Sequence, residues 1–213
     1  MHFKNPIFTL LFTLLMGASA SGSLAQNAPG SAAAAQTAAL PAAPTATPAA
    51  APPVDGTLAP IASLDVPRYM GVWYEIAKYP NWFQRGCLAN TKAEYQPQPN
   101  GSVKVINRCT SDDGKTKEAV GTARQIGAAT SPKLQVQFTP AWLSFIPFLW
   151  ADYWVIDLDA DYQLAAVSEP KKEYLWVLSR TPEVNPAAYA ALLARLKLKG
   201  FDLQKLERTR QAN

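Results

Sequence analysis

Between Leu64 and Thr181 the chain is cut into short runs by turn signals, and this punctuation constrains its fold more than any other feature. The signals are Pro97-Gln98-Pro99-Asn100-Gly101, Asp112-Asp113-Gly114, Asp159-Ala160-Asp161 and Glu169-Pro170-Lys171-Lys172. The runs between them alternate with a period of two and are rich in Val, Tyr, Trp and Ile. They predict strands over 68–79, 87–95, 102–109, 116–125, 133–138, 152–158, 162–168 and 173–180. Eight short antiparallel strands joined by turns belong to a sandwich or an up-and-down barrel.

Alternation sorts the side chains into faces. Trp73, Glu75 and Ala77 are predicted on one face of the first strand, with Val72, Tyr74 and Ile76 on the other. Val103, Val105 and Asn107 share a face, as do Tyr153 and Val155. Ala119, Gly121 and Ala123 form a wall of small groups. Leu134, Val136 and Phe138 oppose Lys133, Gln135 and Gln137. After the strands, Asn185 caps a helix with Pro186 in its first turn, and Tyr189, Leu192, Leu193 and Leu196 recur at helical spacing until Gly200. The last extended piece, Phe201 to Leu206, is expected along the outside of the sheet.

The N-terminal region has a different composition. Residues 1–25 carry Lys4, an apolar run from Ile7 to Met16 and small residues ending in Ser23-Leu24-Ala25, the pattern of a cleaved secretory signal. The apolar run is shorter than a bilayer requires. No cysteine follows it, so no lipid-modified cysteine is expected and the mature chain is expected to be soluble, periplasmic or secreted. Residues 26–60 hold 14 Ala and 7 Pro, with Asp55 the only charge. Such a segment cannot bury enough apolar surface to offset its ordering entropy, and reads as a disordered spacer. The globular domain is therefore 61–213, long enough for one core.

Several chemistries are excluded by residue type. The single histidine, His2, lies in the signal, so the mature chain has no Ser-His-Asp triad, Cys-His pair or histidine metal site. No metal or cofactor is expected. Cys87 and Cys109 flank a hairpin turn and, in an exported chain, read as a disulfide rather than two free thiols. The 20 Lys and Arg exceed the 16 Asp and Glu by a modest margin. The excess collects after Arg195, where a solvated helix face explains it better than nucleic acid does.

Two loops are unusually aromatic. One is 80–86, with Trp82 and Phe83. The other is 139–150, with Trp142, Phe145, Phe148 and Trp150 and two prolines that exclude a central strand. A segment this apolar either packs down as a lid or meets lipid, a membrane or another subunit.

The chain resembles the lipocalins, most closely the bacterial outer-membrane type and apolipoprotein D. The resemblance is carried by Gly71-Val72-Trp73-Tyr74-Glu75-Ile76-Ala77, Ala151-Asp152-Tyr153-Trp154-Val155-Ile156, Tyr174-Leu175-Trp176-Val177-Leu178-Ser179-Arg180-Thr181-Pro182 and Gly200-Phe201-Asp202. It implies an all-β fold: an eight-stranded antiparallel up-and-down barrel with one C-terminal helix packed outside. It implies that Gly71, Trp73 and Arg180 are structural, with Arg180 covering Trp73 at the closed end. It implies a ligand lining of Tyr95, Asn107, Tyr153 and Trp176, to which Glu75 and Phe138 are added from their predicted faces. With Gly71 at the closed end, both aromatic loops and the 87–109 disulfide belong at the open mouth.

The implied function is binding and transport of small hydrophobic ligands such as fatty acids or lysophospholipids, without catalysis. Transient membrane contact and a homodimer are further expectations. Two alternatives use other features: an interaction module built on the 140–150 loop, and an isomerase-type enzyme with Glu75 as its inward-facing acid.

Overall fold

The computed structural model describes residues 56–139, 146 and 149–212. Its first element is not the predicted strand but a short helix, α1 (Val66–Tyr69), capped by the Asp65 side chain with a proline in its first turn. The strand begins later because Gly71, at φ +93°, supplies the left-handed turn between helix and strand.

Eight strands follow: β1 (Gly71–Lys78), β2 (Ala89–Pro97), β3 (Val103–Thr110), β4 (Thr116–Gln125), β5 (Lys133–Gln137), β6 (Ala151–Leu158), β7 (Leu164–Ser168) and β8 (Leu175–Ser179). Each pairs antiparallel with the next, β8 pairs with β1, and β1 pairs with β2, so the sheet closes into a barrel. The expected barrel is thus the observed one. Helix α2 (Pro186–Leu198) follows, and a ninth strand, β9 (Glu207–Arg208), completes the order.

Two clusters divide the buried side chains. Inside the barrel are Trp73, Tyr95, Val103, Val105, Ala123, Leu134, Val155, Ala165, Val167 and Leu178. Outside, Ile76, Ala77, Ile156, Ala166, Leu175 and Val177 meet Leu192 and Leu196 of α2. The Arg195 guanidinium joins helix to wall by donating twice, at 2.8 Å, to the Asp157 carboxylate. Leu58, expected within the spacer, is 6% exposed in this outer cluster, so an ordered strap precedes Ile61.

Strand alternation breaks at three places, one of them in β2 between Ala89 and Lys92, where Asn90 takes a positive φ. In β6 the register shifts between Val155 and Asp157, which turns Ile156 and Asp157 together toward α2. In β1 it shifts between Glu75 and Ala77. Ala77, predicted beside Trp73 and Glu75, therefore lies in the outer cluster with Ile76. Lys78 instead pairs with Trp176, and directly opposed residues share a face, so Lys78 turns to the interior.

The C-terminal segment corrects a second expectation. A 3-10 turn at Leu203–Lys205 leads into β9, which is part of the wall rather than laid over it. β1 and β2 are paired only as far as Tyr74 and Lys92. Above that point the tail fills the gap: Thr209 N donates to Ile76 O at 2.9 Å, and Asn90 N donates to Arg210 O at 2.8 Å. The Gln211 amide donates to the carbonyls of both Glu75 and Thr91. It therefore bridges the two strands.

Candidate functional site: the barrel interior

The closed end is sealed by aromatic stacking and one cation. The Arg180 guanidinium lies 4.0 Å from the Trp73 ring centroid. It also donates to the carbonyls of Val72, Arg68 and Tyr162. Trp73 is fully buried, and its ring nitrogen donates to Tyr69 O at 2.8 Å. Tyr69, from α1, sits against both Trp73 and Tyr95. A side chain at Gly71 would combine an unfavourable positive φ with close approach to Arg180.

All six lining candidates lie on the interior face, at three levels. Tyr95 and Tyr153 are lowest, where the Tyr153 hydroxyl is 2.9 Å from those of both Tyr69 and Tyr95. Burial raises all three phenols, that of Tyr95 to about 12, and they are neutral at physiological pH. These two residues therefore belong as much to the sealed floor as to a ligand surface. Asn107 stands above them, opposed by Ala93 on one side and Ala119 on the other.

Glu75, Trp176 and Phe138 occupy the mouth half. Phe138 is 45% exposed and lies over Gly121, where an added methyl group would approach its ring to 2.7 Å. The same methyl group would come closer still to the backbone carbonyl of Gln137, and the two contacts together account for the glycine in the small-residue wall. Trp176 stacks with Tyr174 and touches Phe83, and its ring nitrogen donates to Gln84 Oε1 at 3.1 Å. The Gln84 amide donates in turn to Glu75 Oε2 at 2.7 Å, and Thr209 Oγ1 donates to Glu75 Oε1 at 2.6 Å. Glu75 is only 3% exposed, and these two neutral donors satisfy its carboxylate.

Accessibility follows depth. At the closed end Trp73, Tyr95, Val103, Val105 and Leu178 are buried and Tyr153 is half-buried, whereas Asn107, Ala119, Val136, Phe138, Ala151 and Trp176 retain solvent contact nearer the mouth. Among the described residues, solvent contact on the interior face is therefore concentrated in the upper barrel. Cys87 and Cys109 form a disulfide that ties the 80–88 loop to the end of β3 at that mouth. Trp82 and Phe83 lie on the rim, 69% and 50% exposed. Trp150, expected at the mouth, packs outward under the Arg124 guanidinium, because Ala151 takes the interior position. Trp142, Phe145 and Phe148 lie outside the described residues.

A family model described as a lipocalin-like domain matches residues 64–211. The chain belongs to the lipocalin family. Temperature-induced lipocalin-1 of Arabidopsis thaliana is 38% identical over 155 residues, covering 72% of this chain and 82% of the relative. Outer membrane lipoprotein Blc of Escherichia coli K12 is 38% identical over 146 residues, covering 68% and 78%. Apolipoprotein D of Mus musculus is 32% identical over 158 residues, covering 71% and 79%. Among solved structures, insecticyanin from the tobacco hornworm Manduca sexta superposes with a TM-score of 0.56 at 18% identity, covering 72% of this chain and 84% of that one. That likeness concerns the fold. This lipocalin thus belongs to a family of proteins that bind small hydrophobic ligands.

Lys78, Gln84, Thr91 and Thr209 were not among the residues singled out from the sequence. Lys78 was hidden by the β1 bulge. Thr209 and Gln84 reach Glu75 from a tail and a loop, where no periodicity operates. Thr91, inside the β2 irregularity between Ala89 and Lys92, is 7% exposed, and its hydroxyl has no partner among the described residues.

Proposed function

We propose that this lipocalin binds single-chain lipids, fatty acids or lysophospholipids and related amphiphiles, in the upper half of its barrel and carries them within the cell envelope or outside the cell. The observation that carries the reading is the gradient along the interior: a sealed apolar floor beneath an accessible region lined by Val136, Phe138, Trp176 and a few polar groups. Burying about 300 Å² of an acyl chain at about 25 cal/mol per Å² supplies roughly 7 kcal/mol before association costs. Trp82, Phe83 and Leu88, exposed around the same opening, suit transient contact with a membrane from which ligand is taken or to which it is delivered. The signal-like segment 1–25 supports export, and the relatives named as outer membrane lipoproteins support an envelope setting.

The test is native mass spectrometry of protein purified from its own host, followed by extraction of bound molecules and fluorescence titration with chain-matched lipids. Co-purified acyl lipid and saturable quenching of Trp176, absent in Trp176→Phe, are expected. Protein free of lipid that shows no quenching by any acyl chain would overturn the reading.

A further inference from the structure

The reading above names a cavity for acyl chains but not the chemistry of the head group, and the β1 bulge bears on that choice. The bulge places an ammonium on the interior face near the mouth, opposite Trp176. The Lys78 side chain is 13% exposed, so most of its hydration is lost. An ammonium carries three N–H donors. Among the described residues its one ionic partner is Glu75 Oε1 at 3.4 Å, longer than an ordinary hydrogen bond.

Glu75 does not depend on that contact, because Gln84 and Thr209 already donate to its two oxygens at 2.7 and 2.6 Å. The lysine therefore keeps donor capacity beyond Glu75 on the interior face near the mouth. An ammonium with N–H donors to spare on the interior face near the mouth matches an amphiphile whose head is an anionic oxygen group. A cationic head would meet the ammonium with repulsion, and an alcohol would supply one weak acceptor.

We propose that Lys78 anchors the carboxylate or phosphate head of an acyl ligand at the mouth of the barrel, so that this lipocalin selects anionic amphiphiles over neutral and cationic ones of equal chain length. The proposal rests on the lipid-binding reading. Its sequence position gave no hint of this role, because strict alternation would have turned Lys78 outward.

The test compares dodecanoate, dodecyl phosphate, dodecanol and dodecyltrimethylammonium on the full chain by titration calorimetry. An anion preference of about tenfold over dodecanol is expected, the size of one charge-assisted hydrogen bond. In Lys78→Met the ratio of the two affinities should fall toward one, and in Lys78→Arg it should persist. Because each ratio is taken within one protein, a general change in the cavity cancels. On the unmodified protein, carbodiimide coupling of bound dodecanoate should form an amide at Lys78, located by peptide mass. Preference for dodecyl phosphate over dodecanoate would assign the anionic head to phosphate, and the reverse to carboxylate; either supports the proposal. Equal binding of acid and alcohol, tighter binding of the cation, coupling only at other lysines, or an unchanged ratio in Lys78→Met would overturn it. Binding of none of the four would instead overturn the lipid-binding reading itself.

Discussion

The guanidinium of Arg180 rests 4.0 Å above the Trp73 ring while its three nitrogens donate to the carbonyls of Tyr162, Val72 and Arg68. One side chain from the end of β8 thus fastens β1, α1 and the β6–β7 turn around the closed end. Arg180→Ala is expected to cost about 3 kcal/mol, from the lost cation–π contact and three carbonyls left short of donors. Arg180→Lys should recover less than half, since an ammonium cannot reproduce the planar fork. Urea unfolding of the three proteins measures this, and equal midpoints would refute it.

The buried phenols give a pH dependence with a definite sign. Tyr69, Tyr95 and Tyr153 hold their protons more tightly in the fold than in the unfolded chain, chiefly because burial penalises the phenolate. The folded chain therefore retains protons that the unfolded chain releases above the ordinary phenol value of 10.0. Their contribution to stability is complete below that value and declines as pH rises through about 12, the Tyr95 value. Stability measured by denaturant between those limits should fall with pH, and less steeply in Tyr95→Phe. Ionisation of these phenols, followed by ultraviolet absorbance, should coincide with unfolding. A flat stability profile there would contradict the account.

The Cys87–Cys109 disulfide closes a loop with a sequence separation of 22 around the β2–β3 hairpin. A loop of that length implies about 3 kcal/mol from restriction of the unfolded chain. The double substitution Cys87→Ser with Cys109→Ser is expected to lower the unfolding midpoint accordingly. It should loosen the 80–88 loop that carries Trp82 and Phe83, seen as faster hydrogen exchange at Leu88, whose amide donates to Thr110 O. Unchanged exchange at Leu88 would show that the hairpin alone holds the loop.

Much of this architecture was legible in the sequence because strand period and turn chemistry are local. Alternation placed Asn107, Tyr153 and Phe138 on the interior face. Asn185 and Gly200 marked the limits of α2, where the Asn185 side chain accepts from two amides and Gly200 adopts φ +84°. What could not be read was each departure from period two. The bulge after Glu75 exchanges Ala77 for Lys78 on the interior face, and no residue type there announces it. Nor does the polar tail after Leu206 carry any periodicity, since its hold comes from hydrogen bonds to strands far away in sequence.

That tail supplies the sharpest test of how the mouth is built. Thr209 is a donor to a carboxylate that is almost fully buried, so Thr209→Val should cost about 1–3 kcal/mol by leaving Glu75 one partner short, although the substitution conserves volume. Truncation after Leu206 removes more: β9, the Gln211 bridge between Glu75 and Thr91, and the carbonyl of Arg210 that accepts from Asn90 N. Asn90 should then exchange its amide proton much faster, whereas Tyr69, whose amide donates to Asp65 O at the closed end, should not. β1 and β2 remain paired from Gly71 to Tyr74, so the truncated barrel should open along its upper seam only. Faster exchange at both ends would mean that the tail supports the whole fold. No change at Asn90 would mean that β1 and β2 hold together without it.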